Sequence, residues 1–114
     1  MSQAIEITQS NFQSEVIDSG VPVLLDLWAA WCGPCRLVAP VIDEIASEYG
    51  ERIKVGKIDV DAEPGLAGAF GVSSIPTIVL VKDGSVVARA IGAQPKQRLV
   101  QSLSLEEHAP AQAA

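Results

Sequence analysis

Val23-Leu24-Leu25-Asp26-Leu27-Trp28, then Ala29-Ala30, then Trp31-Cys32-Gly33-Pro34-Cys35: the reading of this stretch decides how the chain folds. Its first six residues are apolar except for one acid, the composition of a strand covered on both faces. Beyond the cysteines, Val38, Val41, Ile42, Ile45 and Tyr49 recur at helical spacing and predict a long helix from about 32 to 49. Pro40 removes one backbone donor inside it and predicts a kink, and Gly50 ends it. A strand therefore feeds a helix, and the only two cysteines of the chain sit at the junction. That is where a βα unit presents reactive groups to solvent.

The position has a chemical consequence. A thiolate, not a thiol, attacks a disulfide, and an ordinary cysteine is mostly protonated at neutral pH. Unpaired N–H groups and aligned peptide dipoles at a helix N-terminus favour negative charge, so Cys32 should ionise more readily. Cys35 falls one turn further in, on the same side and more shielded. The two can work in sequence: Cys32 forms a mixed disulfide, and Cys35 attacks Cys32 to release the reduced product.

Other readings of the pair are weaker. A zinc site needs two more ligands, and the chain offers only His108, far off in a polar stretch. A structural disulfide across so short a loop gains little, roughly 2 kcal/mol before strain. Two incidental buried cysteines need neither Gly-Pro between them nor a helix start beneath them. Asp59, Asp61 and Glu63 resemble the start of a calcium loop, but Pro64 takes the glycine position and Phe70 the final acid position. That cluster reads as a solvated turn.

The chain of 114 residues is long enough for one domain with a core that needs no staples. A net charge of −6 disfavours nucleic acid, whose binders need a basic face. No apolar run reaches the length of a membrane span. The first residues, Met1-Ser2-Gln3-Ala4-Ile5-Glu6, lack the basic and apolar regions of an export signal, so a cytoplasmic location is expected. In a reducing compartment, a cysteine pair points to catalysis or metal binding, not to a framework disulfide.

Along the chain, Ile5 and Ile7 alternate with polar residues as a short first strand. Ser10 or Asn11 caps a helix that turns Phe12, Val16 and Ile17 inward and ends at Gly20. Ile53–Ile58 is a β-branched strand, and a short helix over 62–70 presents Leu66 and Phe70. Thr77–Lys82 and Val86–Ile91 flank Asp83-Gly84, a strong hairpin signal, and Gly92 closes the second strand. Pro95 opens a last helix with Leu99, Val100 and Leu103 on one face. Residues 1–105 are thus one domain, and 106–114 read as a flexible tail. The order predicts an α/β fold, a mixed sheet with helices on both faces.

Trp31-Cys32-Gly33-Pro34-Cys35 behind the strand that bears Asp26, Ile75-Pro76-Thr77 before the hairpin, and Gly84 and Gly92 closely resemble the thioredoxin family, from about Phe12 to Leu103. The resemblance implies a central five-stranded mixed sheet flanked by four helices. It implies protein-disulfide reduction, no bound cofactor beyond the Cys32–Cys35 redox pair, and electrons from NADPH through a thioredoxin reductase. Client proteins with disulfides would be the other partners, and the chain would act as a monomer. Cys32 matches the attacking thiol, Cys35 the resolving thiol, and Asp26 the buried acid that manages the proton of Cys35. Lys57 matches the lysine near that acid, and Pro76 the cis-proline that faces the cysteines. Trp31, Gly33, Pro34, Val60, Ile75, Gly92 and Ala93 would form the shallow groove for a substrate backbone.

Burial is independently expected for Asp26 from its apolar neighbours, and would raise its pKa into a useful range. Leu27 departs from the family's common Phe. Val72-Ser73-Ser74-Ile75 lacks the Arg that many members carry, and Arg36 stands in the usual Lys position. Gly33-Pro34 resembles the reducing members of the fold, not the oxidising ones with His there. Two other functions use the same features: a binding module that holds extended clients without chemistry, for which the cysteine pair is superfluous, and an oxidase or isomerase of an oxidising compartment.

Overall fold

The computed structural model describes residues 4–110. The strands are β1 (Ile5–Glu6), β2 (Val23–Trp28), β3 (Lys54–Asp59), β4 (Thr77–Lys82) and β5 (Ser85–Ile91). The helices are α1 (Gly33–Tyr49), α2 (Pro64–Ala69), α3 (Lys96–Ser102) and α4 (Leu105–His108). The strands form one sheet in the order β1-β3-β2-β4-β5. β1, β3 and β2 run parallel, whereas β4 is antiparallel to β2 and β5 to β4. This is the mixed five-stranded α/β architecture expected from the sequence.

β2 sits at the centre because five of its six side chains are apolar. Val23 through Leu27, Asp26 included, are fully buried. Strand alternation divides its side chains between two cores. Leu24 joins Val38, Ile42 and Ile45 of α1 with Ile78, Leu80 and Leu99 on one face. Val23, Leu25 and Leu27 join Ile7, Val16, Ile58 and Leu66 on the other. Gly56 of β3 lets the second core close: a Cβ there would meet Ile7 Cγ1 at 2.5 Å and Leu25 Cδ2 at 3.1 Å. The hairpin turn has φ of 53° at Asp83 and 77° at Gly84, the paired positive values that a tight two-residue connection needs.

Two local expectations are corrected. The first helix is a five-residue π-helical segment, Gln13–Ile17, which buries Val16. The expected last helix is α3, and past Ser104, where φ is 51°, the chain adds the short helix α4. The flexible tail does not begin at 106. Glu106–His108 continue α4, and Leu105 and Ala109 are buried. The reason is a set of polar contacts with no sequence periodicity. Tyr49 Oη donates to Glu106 Oε1 at 3.0 Å, and Arg52 Nη1 donates to Ala109 O at 3.0 Å. The Arg52 guanidinium also lies 4.5 Å from the Tyr49 ring centroid. Residues 111–114 of the expected tail lie outside the described residues.

A chain shortened to end at Leu105 should therefore lose stability, by about 1–3 kcal/mol from the buried alanine and the two hydrogen bonds. Denaturant melts of the two lengths test this; coincident curves would show that the latch contributes nothing.

Candidate active site

The site forms where strand ends converge. β2 ends at Trp28, and a tight turn brings Cys32 N–H onto Ala29 O at 3.1 Å. Cys32 is the N-cap of α1, with extended backbone, and its Sγ accepts the Cys35 N–H at 3.2 Å. Pro34 occupies the first turn, where its missing N–H costs nothing. Cys32 and Cys35 are joined in a disulfide with Cα atoms 5.3 Å apart. Both are almost fully buried, so in this oxidised form burial does not separate the thiols. Their places on the helix do: Cys32 sulfur lies at the donor end, where a thiolate would be stabilised once the bond is reduced.

The opposite wall comes from the segment before β4. The Ile75-Pro76 peptide bond is cis, and Ile75 O lies 3.8 Å from Cys32 Sγ. Thr77 Oγ1 donates to Ser74 O at 2.6 Å, and Gly92 N–H donates to Pro76 O at 2.8 Å. Between this segment and Trp31 lies an open depression of about 370 Å³, lined by Trp31, Val60, Val72, Ser73, Ser74 and Ile75. Trp31 is 68 % exposed, and its Nε1–H donates to Asp61 Oδ2 at 2.8 Å.

Beneath the site is Asp26. By alternation it shares the face of Leu24, the face that α1 covers. Among the described residues, no group hydrogen-bonds to either carboxyl oxygen. Its register partner on β3 is Lys57, whose Nζ stands 4.0 Å from Asp26 Oδ2, a Coulombic distance too long for a hydrogen bond. The same ammonium lies 5.3 Å from the Trp28 ring centroid. Burial pushes the Asp26 carboxyl up to about 6; Lys57 opposes the shift, and Asp43 on α1 adds to it.

Cys32, Cys35, Trp31, Gly33, Pro34, Ile75 and Pro76 thus come together, with Val60 on the groove wall and Gly92 tied to Pro76. Ala93 is exposed beside Gly92 and is not part of the groove lining. Asp26 and Lys57 form a pair below. Asp61 is the addition, since a bond across 30 residues leaves no mark on local composition. Among the described residues, no group of three or more His, Cys, Asp or Glu side chains could hold a metal ion, and no helix is long and apolar enough to cross a membrane.

Two cysteines joined in a disulfide at a helix N-terminus, beside an open groove, define a thiol–disulfide oxidoreductase site. The thioredoxin family's sequence model matches residues 3–105, and the chain belongs to that family. It is 52 % identical over 108 residues to thioredoxin 1 of Nostoc sp., an alignment covering 95 % of this chain and 99 % of the relative. It is 50 % identical over 105 residues to the thioredoxin of Mycolicibacterium smegmatis, covering 90 % and 94 %. Against the Haemophilus influenzae thioredoxin it is 48 % identical over 99 residues, covering 87 % and 92 %.

The raised Asp26 carboxyl links stability to pH. Between the ordinary value of 3.8 and about 6 the native state binds more protons than the unfolded chain, so stability falls as pH rises through that window. Above it the penalty is complete. Asp26→Ala should therefore stabilise the protein at pH 8, by about 1–3 kcal/mol, with little of that gain left at pH 4. Denaturant melts of the oxidised forms at the two pH values read this directly; a variant less stable than the parent at pH 8 would show that the carboxyl is not a net cost.

Proposed function

We propose that this chain is an electron carrier that reduces client-protein disulfides through Cys32 and Cys35 and is itself re-reduced by a thioredoxin reductase that draws on NADPH. The observation that carries the reading is the Cys32–Cys35 disulfide at the N-terminus of α1, facing an open groove. In the cycle, Cys32 thiolate attacks one sulfur of the client disulfide. An S–S bond forms between them, the client S–S bond breaks, and the departing client sulfur takes up a proton. Cys35 loses its proton, its thiolate attacks Cys32 Sγ, and the second client thiol leaves. Two electrons and two protons pass from the dithiol to the client. The carrier is left as the disulfide.

Asp26 is suited to receive the proton of Cys35, because a carboxyl that titrates near 6 is ionised at neutral pH yet readily protonated. Lys57, within Coulombic range, limits the cost of that ionisation. Ile75, on the far wall, offers its backbone to an extended client, and Trp31 covers the approach. The chain acts as a monomer in a reducing compartment, the cytoplasm. Gly33-Pro34 between the cysteines supports a reductant.

The division of labour is directly testable. Cys35→Ser should leave a Cys32 that attacks but is not displaced, so that mixed disulfides with clients accumulate on non-reducing gels. Cys32→Ser should trap almost nothing. Equal trapping by both variants would reverse the assignment. The parent protein with NADPH and a thioredoxin reductase should reduce insulin, and NADPH consumption should depend on the carrier. Insulin reduction no faster than without the protein would instead favour a holding function for the groove.

A further inference from the structure

The groove carries a charge arrangement that thiol chemistry does not require. Its lining is apolar or hydroxylic, with no lysine, arginine or histidine. The charge at its rim is Asp61, fixed twice: Oδ2 accepts the Trp31 indole hydrogen at 2.8 Å, and the Asp61 N–H donates to Asp59 Oδ1 at 2.9 Å. The Asp61 carboxylate is thereby held beside an indole that is 68 % exposed. Neighbouring acids serve the fold: Asp59 Oδ1 also accepts from Ala62 N–H at 3.4 Å, and Glu63 Oε1 accepts from Gln9 N–H at 3.0 Å. The basic side chains closest in sequence already have partners. Arg36 Nη1 donates to Ala30 O at 2.9 Å, and Lys57 faces Asp26.

An open aromatic face next to an immobilised carboxylate is a receptor for a cationic side chain. The aliphatic stem of a lysine, or the plane of a guanidinium, packs on the ring, and its charge meets the carboxylate. Because Asp61 is already ordered by Trp31, little rotamer freedom is lost on its side. We propose that the groove selects clients whose disulfide lies within a few residues of a lysine or arginine, with Asp61 the specificity-determining residue. The inference rests on the reductase reading above and names the class of substrate for that site.

Three synthetic disulfide peptides that differ only by Lys, Gln or Glu two residues from the attacked cysteine test it. Single-turnover reduction by the pre-reduced protein is followed by tryptophan fluorescence. The expected order is Lys, then Gln, then Glu, with a Lys-to-Glu rate ratio of about five at low ionic strength that shrinks toward one near about 0.5 M salt. Asp61→Asn keeps an oxygen for the indole hydrogen and removes the charge, so its ratio should fall toward one. Ser73→Lys places a cation on the opposite wall and should invert the preference toward Glu. Equal rates for the three peptides with the parent protein, or an undiminished ratio in Asp61→Asn together with an uninverted one in Ser73→Lys, would overturn the charge selection and leave the reductase reading intact. Failure to reduce even the Gln peptide would overturn both.

Discussion

The structure depends on a strand that is covered on both faces and nonetheless carries a carboxyl group. β2 has three fully buried leucines, Leu24, Leu25 and Leu27, that feed separate cores above and below the sheet. Burial of each is worth roughly 1.5–3 kcal/mol, so the strand stays at the centre despite Asp26. Among the described residues the acid has no hydrogen-bond donor, and the Lys57 ammonium stands 4.0 Å away. Its raised pKa is the visible trace of that conflict. An apolar residue at this position would avoid that cost.

Strand direction explains why four separate segments meet at the disulfide. β2 and β3 are parallel, so their carboxyl ends, Trp28 and Asp59, lie at one edge of the sheet. β4 is antiparallel to β2, which brings its amino end, after Pro76, to that edge. β5 reverses again and delivers Ile91 and then Gly92 there. Trp31-Cys32, Val60-Asp61, Ile75-Pro76 and Gly92 are therefore neighbours by topology. Side-chain and backbone bonds then set their spacing: Trp31 to Asp61, and Gly92 to Pro76.

Much of this was readable from local pattern. β2 and β4 match the expected bounds, α1 starts within a residue of its expected place, and the Asp83-Gly84 hairpin falls where the turn residues put it. Those elements announce themselves by periodicity and by residues suited to special backbone angles. The features that escaped depend on contacts distant in sequence. The order beyond 105 rests on Arg52 and Tyr49, more than fifty positions away, and Trp31–Asp61 spans thirty. The π-helical segment Gln13–Ile17 escaped for a different reason. It is only five residues long, and apolar spacing over so short a span does not fix the hydrogen-bond register. For the site, the cysteines and the burial of Asp26 followed from the sequence. The pairing with Lys57 is a matter of strand register, and residues alone do not specify it.

The two electrostatic devices around the cysteines act at different moments. The amino end of α1 favours negative charge at Cys32 whatever the pH, because peptide dipoles do not titrate. Asp26 does titrate, near 6, so its charge differs between mildly acidic and neutral conditions. Ionised, it opposes a second negative charge nearby; neutral, it does not. An attacking thiolate needs steady stabilisation, and a resolving thiol needs a base only when its turn comes. In the cycle proposed above, a fixed dipole at the first sulfur and a titrating group on β2 would meet both requirements with one strand and one helix end.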